Sequence, residues 1–69
     1  MKSARSHPAH VVLAKLKRAH VGQYEIAAAL GVSQAAVSLT IRRRRGVAPD
    51  TAARIWAAID KALAPQEMR

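Results

Sequence analysis

The chain has 69 residues, carries twelve lysines and arginines against four acids, has a formal net charge of +8, and contains no cysteine. That length supports one domain with a core that is marginal on its own, so self-association is a natural source of extra stability. The charge suits a polyanionic partner, and the lack of cysteine excludes disulfides and thiolate metal sites.

Met1 to Arg5 is basic and is not followed by an apolar stretch of about 7–15 residues, so no secretory leader is expected. Residues 1–7 read as a flexible basic arm. "HPAHVVLAKLKRAH" then places Ala9, Val12, Leu13 and Leu16 at the i, i+3, i+4, i+7 spacing of an amphipathic helix. Pro8 suits the first helical position, and Lys15, Lys17 and Arg18 suit the negative end of the helix dipole. His7 and His10 are three apart, but two ligands do not complete a metal site, so neither metal nor cofactor is expected. Gly22 breaks the pattern.

"QYEIAAALG" reads as a short second helix with Ile26, Ala27 and Leu30 on one face and Gly31 ending it in a left-handed turn. Ser33 is a good cap for a third helix, "QAAVSLTIRRRR", anchored by Val37 and Ile41 and ending near Arg45–Gly46. A fourth helix starts at Pro49, with Ala48 as a poor cap and Asp50 complementing the dipole, and stops at Pro65. Its main stripe is Ile55, Ala58, Ile59 and Ala62. A second strip, Ala52, Trp56, Ile59 and Leu63, has no obvious use inside so small a domain. Trp56 and Leu63 are therefore assigned to a subunit interface, where tryptophan often lies at the centre; the alternative is that Trp56 fills the main core beside the first helix.

The expected organisation is a flexible arm over 1–7, one all-α domain over 8–64 and a flexible tail over 65–69. No apolar run approaches the roughly 20 residues of a membrane span. Tyr24 and Trp56 are the only aromatic residues, too few for the stacking platforms of RNA-recognition sheets or single-strand-binding barrels. The four acids, Glu25, Asp50, Asp60 and Glu67, form no paired-carboxylate arrangement and no nucleophile–base set is visible, so an enzyme is not expected.

An apolar helix, a glycine turn, a second helix and four arginines, in that order, build a helix-turn-helix. Ile26, Leu30, Val32, Val37 and Ile41 form the shared core, and small Ala27 and Ala36 let the helices approach closely. The far face of the third helix is left free to enter a major groove, with Arg42, Arg43, Arg44 and Arg45 where it meets the sugar-phosphate backbone.

"GQYEIAAALGVSQAAVSLTI" resembles the motif of lambdoid Cro repressors in its glycine-glutamine start, Ala27, Leu30-Gly31-Val32, Gln34, Ala36 and Ile41. The stretch from Tyr24 to about Leu63 is also similar to the headpiece of lactose-repressor-type regulators, where "GVS" opens the recognition helix and a turn like "VAPDT" opens the next. The extra N-terminal helix and the helical C-terminal part look more like the all-helical lambda-repressor-like class. The resemblance implies a compact four-helix, bundle-like domain. It implies a small Cro-like transcriptional repressor, of phage or mobile-element type, that binds a palindromic double-stranded DNA operator as a homodimer. The cytoplasm of a bacterial or phage-infected cell would be its location.

The hinge helix and sugar-binding domain of the lactose-repressor type have no counterpart here, so no small-molecule effector is expected. By the resemblance, Gln34, Ala35 and Ser38 face the bases. Gln34 has the amide to read adenine and Ala35 a methyl to meet thymine. Leu39 stands where both families often place a polar or basic reader, and its side chain suits a thymine methyl. Gln23, Tyr24 and Ser33 are assigned to phosphates alongside the arginine run. The alternative is a helix-turn-helix protein-interaction adaptor or antitoxin-like module. A membrane-active cationic helix is disfavoured, because the turn and capping signals specify a compact fold.

Overall fold

The computed structural model describes residues 3–67, and every regular element among them is helical. A 3-10 turn, Ala4–Ser6, precedes four α-helices: α1 (Ala9–Arg18), α2 (Gln23–Leu30), α3 (Gln34–Ile41) and α4 (Pro49–Glu67). The radius of gyration is 11.0 Å, close to the roughly 11 Å of a well-packed domain of this length. No single described helix is long and apolar enough to cross a membrane.

The hydrophobic periodicities set which faces are buried. Val12 and Leu16 of α1, Ile26 and Ala27 of α2, and Val37 and Ile41 of α3 meet Ile55, Trp56, Ile59 and Leu63 of α4 in one core. Ala27 is almost fully buried, and a larger side chain there would force α2 away from its neighbours. The buried Thr40 hydroxyl is satisfied by donating to the Ala36 carbonyl one turn earlier, at 2.8 Å.

Helices α1, α2 and α3 end in the same way. One residue takes a left-handed conformation, and the next N–H reaches back five residues. His20 (φ +59°), Gly31 (φ +70°) and Arg43 (φ +56°) are the left-handed residues. The closing bonds are Val21 N–H to Leu16 O, Val32 N–H to Ala27 O and Arg44 N–H to Leu39 O, at 2.9, 3.0 and 2.8 Å. This is the Schellman arrangement, which normally recruits glycine because a β-carbon is strained there. Only α2 uses glycine.

Several expectations need correction. Residues 3–7 are not a loose arm. Ala4 is buried and its N–H donates to the Asp60 carboxylate at 2.7 Å, which docks the turn on α4. Pro8 lies one residue before the first turn of α1. The third helix stops at Ile41, so the arginines form a turn rather than a helix end. Helix α4 continues past Pro65 to Glu67, because a proline in the last turn removes only one hydrogen bond near the end of the ladder. Of the proposed arm and tail, Met1, Lys2, Met68 and Arg69 lie outside the described residues.

Trp56 and Leu63 are not surface residues awaiting a partner. They are 6% and 3% exposed and belong to the core of the single chain. The N-terminal turn packs on α4 beside α1, α2 and α3, with Arg5 over the Trp56 ring and Ala4 bonded to Asp60, a layer that the arm assignment had left out. Trp56→Ala should therefore lower unfolding stability by about 3–5 kcal/mol, the usual cost of emptying a tryptophan site. Urea denaturation at several protein concentrations checks this. A midpoint that moves with concentration in the wild type but not in the variant would restore Trp56 to an interface.

Candidate nucleic-acid interface

Helices α2 and α3 are joined by Gly31, Val32 and Ser33, and the chain bends by 116° across this junction. Gly31 turns the backbone, and Val32 is half-buried against the core. The Ser33 hydroxyl accepts the Ala36 N–H at 3.0 Å, capping α3. Arg54 of α4 donates to the Leu30 carbonyl at 3.2 Å, tying the last carbonyls of α2 to the longest helix. At the other end of α2, Glu25 accepts the Gly22 N–H at 3.2 Å. The start of α2 is thus capped locally, and its junction with α3 is braced from α4.

With Val37, Thr40 and Ile41 facing inward, the outer face of α3 carries Gln34 and Ala35, both exposed, and half-buried Ser38 and Leu39. These four sequence-assigned base readers share one side of the helix, as a 3.6-residue repeat requires. Their freedom differs. The Ser38 hydroxyl accepts from Arg42 Nε at 3.3 Å. Leu39 packs toward the following loop, where a β-carbon on Gly46 would lie 3.7 Å from its Cδ1. Gln34 and Ala35, in the first turn, have the open positions.

The residues assigned to phosphates are also sorted by the structure. Tyr24 is 68% exposed at the start of α2, with Gln23 beside it and half-buried. Ser33 has its acceptor used in the cap and keeps its O–H free to donate. Arg42, Arg44 and Arg45 are exposed, and among the described residues Arg44 and Arg45 have no side-chain hydrogen-bond or ion-pair partner.

Arg43 departs from the expectation. Its guanidinium lies 4.9 Å from the centre of the Trp56 ring. It donates through Nη1 to the Ile41 carbonyl at 2.8 Å and through Nη2 to the carbonyls of Arg5 and His7. Those donors are therefore turned to the chain itself and not to a phosphate. Arg5 stands over the same ring at 5.8 Å.

Sequence reasoning missed Arg54, Asp60 and Arg5, whose partners lie 24 or more positions away or on another element. The Glu25 contact was legible, because an acid three residues after a helix cap has the spacing of a capping box. Compared with known proteins, the chain matches no family model, no curated protein and no solved structure.

The left-handed residues generate a contrast. His20→Gly should raise stability by up to about 1 kcal/mol, because it removes β-carbon strain at an exposed position. Arg43→Gly removes the same strain but should lower stability, since three hydrogen bonds and a ring contact go with the side chain. Chemical denaturation of the two variants in parallel reads both signs. Stabilisation by Arg43→Gly would show that the contacts of Arg43 do not offset its backbone strain.

Proposed function

We propose that α2 and α3 form a helix-turn-helix that places α3 in the major groove of double-stranded DNA, and that the protein is a sequence-specific transcriptional regulator. Within that class, the resemblance to Cro and lambda-type repressors favours a small repressor acting as a homodimer on a palindromic operator. The observation that carries this reading is the 116° bend across a three-residue, glycine-started turn. Helix-turn-helix units join their helices at about 90–120° through such turns.

The chemistry of the exposed surface supports it. An α-helix about 10–12 Å across fits a major groove about 12 Å wide. The first turn of such a helix meets the base edges. Gln34 there has an amide NH2 that can donate to N7 and a carbonyl oxygen that can accept from the N6 amino group of adenine. The Ala35 methyl suits a thymine methyl. Ser33 caps the start of the helix, Gln23 and Tyr24 open α2, and Arg42, Arg44 and Arg45 follow the far end of α3, which gives donors for phosphates along the groove. Formal charge of +8 on 69 residues adds long-range attraction to the duplex.

Two bound copies would bring Arg42, Arg44 and Arg45 to the backbone twice. That number of contacts predicts a loss of affinity of about 10³-fold or more between roughly 50 and 200 mM salt. With Trp56 and Leu63 buried in each subunit, the pairing surface lies elsewhere. The palindrome reading rests on the twofold symmetry that such repressors share with their operators, with half-sites about 34 Å apart.

Selection of bound duplexes from a random pool tests the proposal. The expected result is a short motif with twofold symmetry. Gln34→Ala should cost about 1–3 kcal/mol on that motif and relax preference at one position per half-site. Arg44→Ala should weaken selected and scrambled duplexes alike. No enrichment from the pool, or equal losses on both duplexes for Gln34→Ala, would overturn the assignment.

A further inference from the structure

Arg43 occupies a backbone conformation that disfavours every residue with a β-carbon, and its own side chain makes long-range contacts from there. Glycine closes α2 with the same five-residue hydrogen bond, so the turn itself does not require an arginine. What the arginine adds is its guanidinium. It spans from the end of α3 to the N-terminal turn, bonding Ile41 O on one side and Arg5 O and His7 O on the other. Its Cζ lies over the ring of Trp56, which is buried in α4. One side chain thus joins three segments separated by up to 51 positions (56 − 5).

Arg5 is the other half of the pair. It contacts the same ring at 5.8 Å, but its side chain makes no hydrogen bond among the described residues. A guanidinium held over a ring uses none of its N–H donors there, so they stay available in the fork geometry that suits phosphate. The Arg43 contact to its carbonyl places Arg5 next to the run Arg42–Arg45, although it is 38 residues from Arg43 in sequence. The Ala4 N–H bond to Asp60 fixes the same turn from its other side.

We propose that Arg43 is a positioning residue rather than a phosphate ligand. It clamps the N-terminal turn beside the end of α3, so that Arg5 supplies a fourth guanidinium to the backbone-binding edge formed by Arg42, Arg44 and Arg45. The inference rests on the duplex-binding reading and refines it. The edge is discontinuous in sequence, and Arg43 bridges its two parts directly, while the Ala4 bond to Asp60 ties the turn to α4.

Arg43→Lys separates the two roles. Lysine keeps the charge but cannot stack in the plane of the ring and bridge two segments through a fork. Affinity for a random-sequence duplex, measured between about 50 and 200 mM salt, gives the number of phosphate contacts from its slope. Arg5→Ala should reduce the slope by about one per bound subunit. Arg43→Lys should reduce it by the same amount, and Arg5→Ala added to Arg43→Lys should change nothing further. Exchange of the Ala4 amide, measured without DNA, should quicken in Arg43→Lys and not in Arg5→Ala.

If Arg43→Lys keeps the wild-type slope, Arg43 is an ordinary phosphate cation and the proposal is wrong. Additive losses in the double variant, or an Ala4 amide that is as protected in Arg43→Lys as in the wild type, would also overturn it. A wild-type protein that binds no duplex at any salt overturns the functional reading together with the role of Arg5. The Ala4 exchange would then still decide whether Arg43 clamps the turn.

Discussion

Helix α4 supplies the surface on which every other element is buried. Ile55 and Ile59 are fully enclosed, and Trp56 and Leu63 nearly so. Around them pack α1, α2, α3 and the N-terminal turn. A domain this small cannot divide its apolar residues between two cores. Both apolar strips of α4 therefore enter the one core, against which α1, α2, α3 and the N-terminal turn pack. The orientation of α3, and with it the direction of Gln34 and Ala35, follows from this common support.

Polar contacts then adjust what burial has arranged. Arg54 reaches from α4 to the end of α2, Asp60 reaches from α4 to Ala4, and Arg43 reaches from the end of α3 to the N-terminal turn. Each joins a long-range pair of segments through a backbone group left over at an element's end. Helix termini leave such groups without intrahelical partners, and they are natural points of attachment for charged side chains. The two arginines and the aspartate consequently hold loops in place more than they decorate a surface.

The basic run illustrates how one sequence feature divides its labour. Four adjacent arginines on a continuous helix would project at about 100° intervals and repel one another. Ending α3 at Ile41 gives them separate directions instead. Arg42 stays near Ser38, Arg43 folds back over Trp56, and Arg44 and Arg45 remain in solvent. Inward folding of one cation also relieves crowding among the other three.

Much of the architecture was legible in local patterns. Apolar spacing located four helices. Gly31 and Ser33 marked the turn between the second and third, because a positive φ and a free N–H each call for a particular residue type. The outer face of α3 followed from the positions of Val37 and Ile41. These features depend on residues within one or two turns of one another, which a sequence displays directly. The left-handed conformations of His20 and Arg43, the docking of Ala4, and the burial of Trp56 were decided only by the tertiary structure. Arginine favours a helix by its own propensity, and nothing near Arg43 in sequence signals that α3 must stop before it. Its partners, Trp56, Arg5 and His7, come from both ends of the chain. For the same reason Trp56 resembled a surface residue in sequence: the turn that covers it lies about fifty residues away, and only the folded chain brings the two together.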